Sequence, residues 1–168
     1  IILKNNNSIN HLSIIMDGNK RWAENKKLPI QDAYSVGIDN VLRISEKIIE
    51  KDIKYLSVYA LSTENLKRKS VNMLFNSIFD KFYQFLNKLI NEKSIKIKVI
   101  GERDNLPIKL KKIINEAEQK TINNKKLTLI LAFNYGFKSE LISAFKKLYK
   151  TIKPVNDKKI DNIKIDNL

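Results

Sequence analysis

The apolar run Leu12–Met16 stops abruptly in Asp17-Gly18-Asn19, and Lys20, Arg21 and Trp22 follow with helical spacing. Gly18 allows a tight backbone turn, and the N–H groups exposed at the start of the next helix favour an anion. Lys20 and Arg21 add positive charge there. Asp17 would repel a bare phosphate, so a carboxylate in this place points to a Mg²⁺ ion bridging it to phosphate oxygens. A structural account fits the same spacing, with Asp17 as a helix N-cap and Arg21 as its surface partner. The residues alone leave both open.

A second strand-like run, Tyr55–Ala60, ends in Ser62-Thr63-Glu64-Asn65, a carboxylate and an amide again. Two more, Ile95–Ile100 and Leu127–Phe133, end in Gly101-Glu102-Arg103 and Asn134-Tyr135-Gly136. Segments of helical period separate them: Asp32–Lys51, Val71–Glu92, Leu106–Thr121 and Ser139–Lys150. Strands alternating with helices imply βαβ units. The predicted fold class is therefore α/β, a central, mostly parallel β-sheet flanked by helices, formed by residues 1–168 as one domain without internal repeat or linker. In such sheets ligands bind outside the carboxyl ends of the strands, which places all four polar endings on one edge. Turn chemistry favours Gly, Asn, Asp and Ser at strand ends in any case. The stretch after Pro154 is polar and reads as a loop or a frayed element.

The segment Val71–Glu92 is apolar over about half its circumference and rich in Phe. It reads either as a helix wedged between sheet and neighbour, or at a subunit interface, or as one wall of an apolar tunnel between sheet and helices. A tunnel would suit a lipid-like substrate.

Composition narrows the classes. The chain is 43% hydrophobic and 30% charged, with no cysteine, which excludes disulfides and thiolate metal sites. No apolar run approaches the roughly 20 residues that span a bilayer. The expectation is a soluble cytoplasmic protein. The net charge of +14 raises anionic partners, but only 4 of 32 basic residues are Arg, and the lysines are spread over every segment. Nucleic acid is therefore not expected, since forked phosphate and base contacts favour Arg. Peripheral docking on an anionic membrane stays open.

The run from His11 to Ala23, HLSIIMDGNKRWA, closely resembles the signature of the cis-prenyltransferase family, undecaprenyl diphosphate synthases in particular. Tyr59-Ala60-Leu61-Ser62-Thr63-Glu64-Asn65-Leu66-Lys67-Arg68 resembles the family's second motif, and Val99-Ile100-Gly101 and Leu131–Gly136 are similar in kind and order. The resemblance runs from about His11 to Lys150. It implies a Mg²⁺-dependent enzyme that condenses isopentenyl diphosphate with an allylic diphosphate such as farnesyl diphosphate in cis configuration. Its product would be a polyprenyl diphosphate lipid carrier for cell-wall synthesis, and the enzyme a homodimer. By the same resemblance Asp17 holds the metal. Gly18, Asn19, Lys20 and Arg21 cradle the allylic diphosphate, and Trp22 packs beside them. Ser62, Thr63, Glu64 and Asn65 line the reacting centre, beside Leu66, and Arg68 sits on a phosphate. Asp17 and Asn65 are the catalytic candidates. An amide is a poor base, so Asn65 is expected to orient the allylic carbon or a water while a substrate phosphate oxygen takes the proton.

Five places depart from the family pattern. Lys20 stands for Gly and Ile30 for a basic residue. Ala33-Tyr34 replaces Gly-His, and the loss of the basic residue and the His would weaken the diphosphate pocket, although the Tyr34 hydroxyl can still hydrogen-bond an oxygen. Leu66 replaces Trp, and Phe137-Lys138 replaces a small residue and Arg. The family also carries an Arg-Thr-x-Gly-Glu run, a second Arg followed by Leu-Ser-Asn, and a later Glu, which bind isopentenyl diphosphate and help to hold the metal and the dimer, beyond the point that Leu168 reaches. The expectation is a sequence lacking that C-terminal segment. The alternative is a non-catalytic relative serving as a binding or scaffold subunit, which has no need of Asp17 and Asn65 at adjacent strand ends. His11, the one histidine, is expected to be a structural hydrogen-bonding residue, and Glu102 and Arg103 a solvated turn.

Overall fold

A computed structural model describes residues 9–62, 75–104 and 106–152, with side chains left aside at 75–78 and 150–152. In chain order the elements are β1 (His11–Ile15), α1 (Asn19–Lys26), α2 (Ile30–Glu50), β2 (Tyr55–Ser62), α3 (Phe75–Ile90), β3 (Ile95–Ile100), α4 (Ile108–Lys120), β4 (Leu127–Tyr135) and α5 (Phe137–Ile152). The four strands form one sheet in the order β1-β2-β4-β3, and every neighbouring pair is parallel. The expected α/β architecture is present, with β2 and β4 longer than their apolar runs and α1 separate from α2. The Val71 start of the predicted third helix, and the stretch after Pro154, lie outside the described residues.

Register explains the core. Leu12, Leu56, Leu129 and Ile97 sit side by side across the sheet, as do Ile14, Val58, Leu131 and Val99. All but the two β1 residues are buried, in one cluster with Val41 and Ile48 of α2, Phe79 to Leu89 of α3 and Leu110 to Ala117 of α4. The Phe-rich face of α3 is closed on the sheet, with Phe82 stacked on Phe133 at a centroid distance of 4.1 Å. On that face α3 is wedged against the sheet. A cleft of about 640 Å³ runs between α2 and α3, with Leu42, Ile49 and Ile95 below a rim that includes Arg43, Glu46 and Lys88.

Two expectations need correction. The run Leu12–Met16, whose apolar residues read as a buried strand, is only half-buried: among the described residues it is an edge strand, and His11, Ser13 and Ile15 lie on a face left exposed, with Ile15 75% accessible. Its alternation of polar and apolar residues is the half-buried pattern, unlike the continuous runs of β4. His11 does act structurally, its Nε2 lying 2.8 Å from Ser57 Oγ on that face. Nor is Arg103 a solvated turn. Its guanidinium donates to the Val99 carbonyl at 2.7 Å and to Glu118 Oε1 at 2.8 Å.

Glu118 Oε1 also accepts the Val99 N–H at 2.8 Å, and Thr121 Oγ1 accepts the Ile97 N–H at 2.9 Å. These are the N–H groups that β3, on the far edge, cannot give to a strand. Side chains at the end of α4 thus occupy the donors of an exposed edge, which would otherwise invite another chain. Thr121 is fully buried and donates in turn to the Ala117 carbonyl. Thr121→Val keeps the shape but strands a buried donor, and should lower stability by about 1–3 kcal/mol. Urea unfolding checks this: a midpoint equal to wild type would contradict it.

Candidate active site

Asp17 lies one residue beyond Met16, whose N–H still bonds to the Tyr59 carbonyl of β2 at 3.0 Å. The turn therefore begins while the chain is fixed to the sheet. Gly18 occupies the N-cap position of α1 with φ at +88°, and its N–H donates to Asp17 Oδ1 at 2.6 Å. Asp17 is thus not the N-cap. Its carboxylate is tied to the turn itself, and no side chain caps the helix. The first-turn N–H groups of Asn19, Lys20 and Arg21 have no acceptor within a helix, and the helix dipole makes this end attractive to an anion.

The charges around the turn are loosely committed. Arg21 Nη2 lies 3.5 Å from Asp17 Oδ2, and Lys20 Nζ 3.7 Å from Glu24 Oε1; all four side chains are well exposed. The surface pairing of Arg21 with Asp17 is therefore present, but such pairs contribute about 0–1 kcal/mol and yield readily to a phosphate. Trp22 is partly exposed on the same helix. Tyr34 is half-buried on α2, and burial pushes its hydroxyl above the usual phenol range. Ile30 opens α2.

Ser62 ends β2 and pairs in register with Tyr135 of β4, after irregularities between Tyr59, Leu61 and Ser62. Such irregularities re-aim side chains at a strand end. Thr63, Glu64, Asn65, Leu66 and Arg68 lie outside the described residues. The structure thus brings Asp17, Gly18, Asn19, Lys20, Arg21 and Trp22 onto one turn beside the strand that ends in Ser62.

The other two strand ends form a lock. The Glu102 N–H donates to the Asn134 carbonyl at 3.0 Å, and Asn134 Nδ2 donates to the Glu102 carbonyl at 2.8 Å. Asn134 is buried in the left-handed region, φ +53°. Gly101 has φ +126°, and a Cβ there would lie 2.1 Å from the Phe133 carbonyl oxygen. Tyr59 donates its hydroxyl to the Tyr135 carbonyl at 2.9 Å, and Tyr135 donates to Glu140. That bond, with smaller contributions from desolvation and the Glu140 charge, raises the Tyr135 hydroxyl above the usual phenol range. From sequence, Tyr59 is marked only as the first residue of the second motif, without this bond, and Glu140 is not singled out. An Asn directly after a buried strand, tolerant of positive φ, was the available signal for the lock.

Among the described residues no group of three or more His, Cys, Asp or Glu could hold a metal. One exposed carboxylate above a helix start still fits Mg²⁺, which commonly takes one or two carboxylates and completes its octahedron with water and substrate phosphates.

Fold and turn together define a parallel α/β protein with a carboxylate, a left-handed glycine and an uncapped helix start at the carboxyl edge of its sheet. Residues 15–167 match the family model described as "Putative undecaprenyl diphosphate synthase", and the chain belongs to that family. It is 44% identical over 147 residues to the ditrans,polycis-undecaprenyl-diphosphate synthase of Micrococcus luteus, covering 83% of this chain and 59% of that protein. It is 38% identical over 141 residues to an isoprenyl transferase of Staphylococcus haemolyticus, covering 83% of this chain and 55% of that one. The crystal structure of lavandulyl diphosphate synthase from Lavandula x intermedia, in complex with dimethylallyl diphosphate, superposes with a TM-score of 0.79 at 26% identity. That match spans 96% of this chain and 67% of the other. The chain thus spans a little over half the length of these curated relatives.

Two glycines allow a test of which contacts are rigid. At Gly18 an added Cβ would meet only Arg21 Nη2, at an ordinary contact distance of 3.7 Å, and the positive φ alone resists a side chain, so Gly18→Ala should cost about 1–2 kcal/mol. Gly101→Ala drives a methyl into a carbonyl and should cost more than about 3 kcal/mol. Equal unfolding midpoints for the two variants would refute the lock. In an alkaline absorbance titration Tyr34 and Tyr135 should ionise above the usual phenol range, and Tyr34→Phe and Tyr135→Phe should each remove one such step.

Proposed function

We propose that this chain forms the allylic-diphosphate half of a cis-prenyltransferase, the enzyme class that condenses isopentenyl diphosphate with an allylic diphosphate to build a polyprenyl diphosphate lipid carrier. The observation that carries the reading is the Asp17–Arg21 turn: a carboxylate, a left-handed glycine and an open helix N-terminus at the end of β1. Its relatives' names support the same activity.

The first-turn N–H groups of α1 take the diphosphate oxygens, and Arg21 leaves its exposed pair with Asp17 to join them. As the allylic carbon–oxygen bond breaks and the new carbon–carbon bond forms, negative charge grows on the departing pyrophosphate. Fixed N–H dipoles and a guanidinium aimed at those oxygens stabilise that charge more than the ground state. Asp17 would hold Mg²⁺ against the diphosphate, and the ion would supply further charge neutralisation there. Asn65 orients the allylic carbon, and a phosphate oxygen accepts the proton lost from the isopentenyl unit. Tyr34 donates to the diphosphate from α2. The growing apolar chain is accommodated along the cleft between α2 and α3. A homodimer, and contact with an anionic membrane through the chain's surplus of lysines, complete the proposal. No described helix is long and apolar enough to cross a membrane.

The test is binding of farnesyl diphosphate with and without Mg²⁺. Wild type should bind in Mg²⁺ and lose most of its affinity in EDTA. Asp17→Ala should bind at least about tenfold more weakly and lose most of the metal dependence, as expected when Mg²⁺ is held by one or two protein carboxylates and substrate phosphates. Full Mg²⁺-dependent affinity in Asp17→Ala would refute the site.

A further inference from the structure

Gly37 lies in the middle of the 21-residue helix α2, where glycine costs about 1 kcal/mol relative to alanine. Its neighbours explain its presence. A Cβ at Gly37 would stand 3.0 Å from Met16 Cε and 3.3 Å from Asn19 Oδ1. Those two residues bracket the Asp17-Gly18 turn: Met16 is the last residue bonded to β2, and Asn19 opens α1. The buried Ala33 and Val41, one turn before and one turn after Gly37, continue the same face of α2.

We propose that Gly37 is a positioning residue for the anion-binding turn: the space where its side chain would be is the seat of the Asn19 amide, and through Asn19 it sets the direction of the first N–H groups of α1. This rests on the function proposed above. The Met16 contact is with the mobile end of a flexible side chain and can relax. The Asn19 contact is also with a side chain, but a short one on the residue that opens α1, so the few tenths of an ångström it must give are passed to the start of the helix. Displacements below 1 Å suffice to degrade recognition when donors are fixed in direction. Gly37 touches no substrate, and its effect must travel through Asn19.

A double-mutant cycle tests this on the full chain, with calorimetric binding of farnesyl diphosphate in Mg²⁺ and thermal unfolding of each variant. Gly37→Ala should weaken binding about tenfold, Asn19→Ala by a similar factor, and the pair together hardly more than either alone, as coupled contacts require. Should Gly37→Ala fail to fold, the Met16→Leu, Gly37→Ala pair removes the Met16 Cε contact, leaves the Asn19 contact alone, and should show the same loss against Met16→Leu. Multiplying effects of the two single substitutions, or wild-type affinity in Gly37→Ala, overturns the assignment while the proposed function stands. Failure of the wild-type chain to bind farnesyl diphosphate overturns both.

Discussion

The strand β4 holds the candidate edge in place. Its inward residues Leu127, Leu129, Leu131 and Phe133 are nearly unexposed, and it hydrogen-bonds β2 on one side and β3 on the other. Its last residues then reach sideways to both neighbours, Asn134 to Glu102 and Tyr135 to Tyr59. A parallel sheet must send every strand end to the same edge, because each return passes through a crossover helix. What β4 adds is that three of those ends are bonded to one another. The fourth, at Asp17, inherits its position through β2.

Stability and chemistry are thereby divided between the two sides of the edge. Beyond β3 and β4 the contacts are short, the buried Asn134 ties two strand ends together, and Gly101 has no room for an added atom. Around Asp17 the charged groups are exposed, and their ion pairs contribute little to folding. A site built this way has little to give up when an anion arrives: water and a weak pair are displaced, and the backbone donors already point outward. The cost of preparing the turn is met elsewhere, in the burial of Ala23 and Ala33 where α1 meets α2.

Much of this was legible in residue order. The four strands, the alternation that makes them parallel and the turn at Asp17 follow from apolar period, glycine and charge. The edge position of β1 was also written in HLSII, whose polar residues fall on alternate positions, although the apolar count of the run suggested burial. Arg103 misled because a charged turn normally faces water; its partners, the Val99 carbonyl and Glu118, are brought to it by the packing of α4 on β3. Tyr59, Glu140 and the tight contact at Gly37 depend on distances between elements far apart in sequence, which no local pattern encodes. The Ser-Thr-Glu-Asn motif was plain as a string, while its geometry belongs to residues outside those described.

The two edges of the sheet are unequal. On β3 the side chains of Thr121 and Glu118 already occupy outward N–H groups, whereas among the described residues nothing bonds to the outer edge of β1. The sheet can be lengthened in one direction alone. Any strand that joins it, whatever chain supplies it, runs alongside the strand that leads into Asp17, so that assembly and the surroundings of the turn cannot change independently.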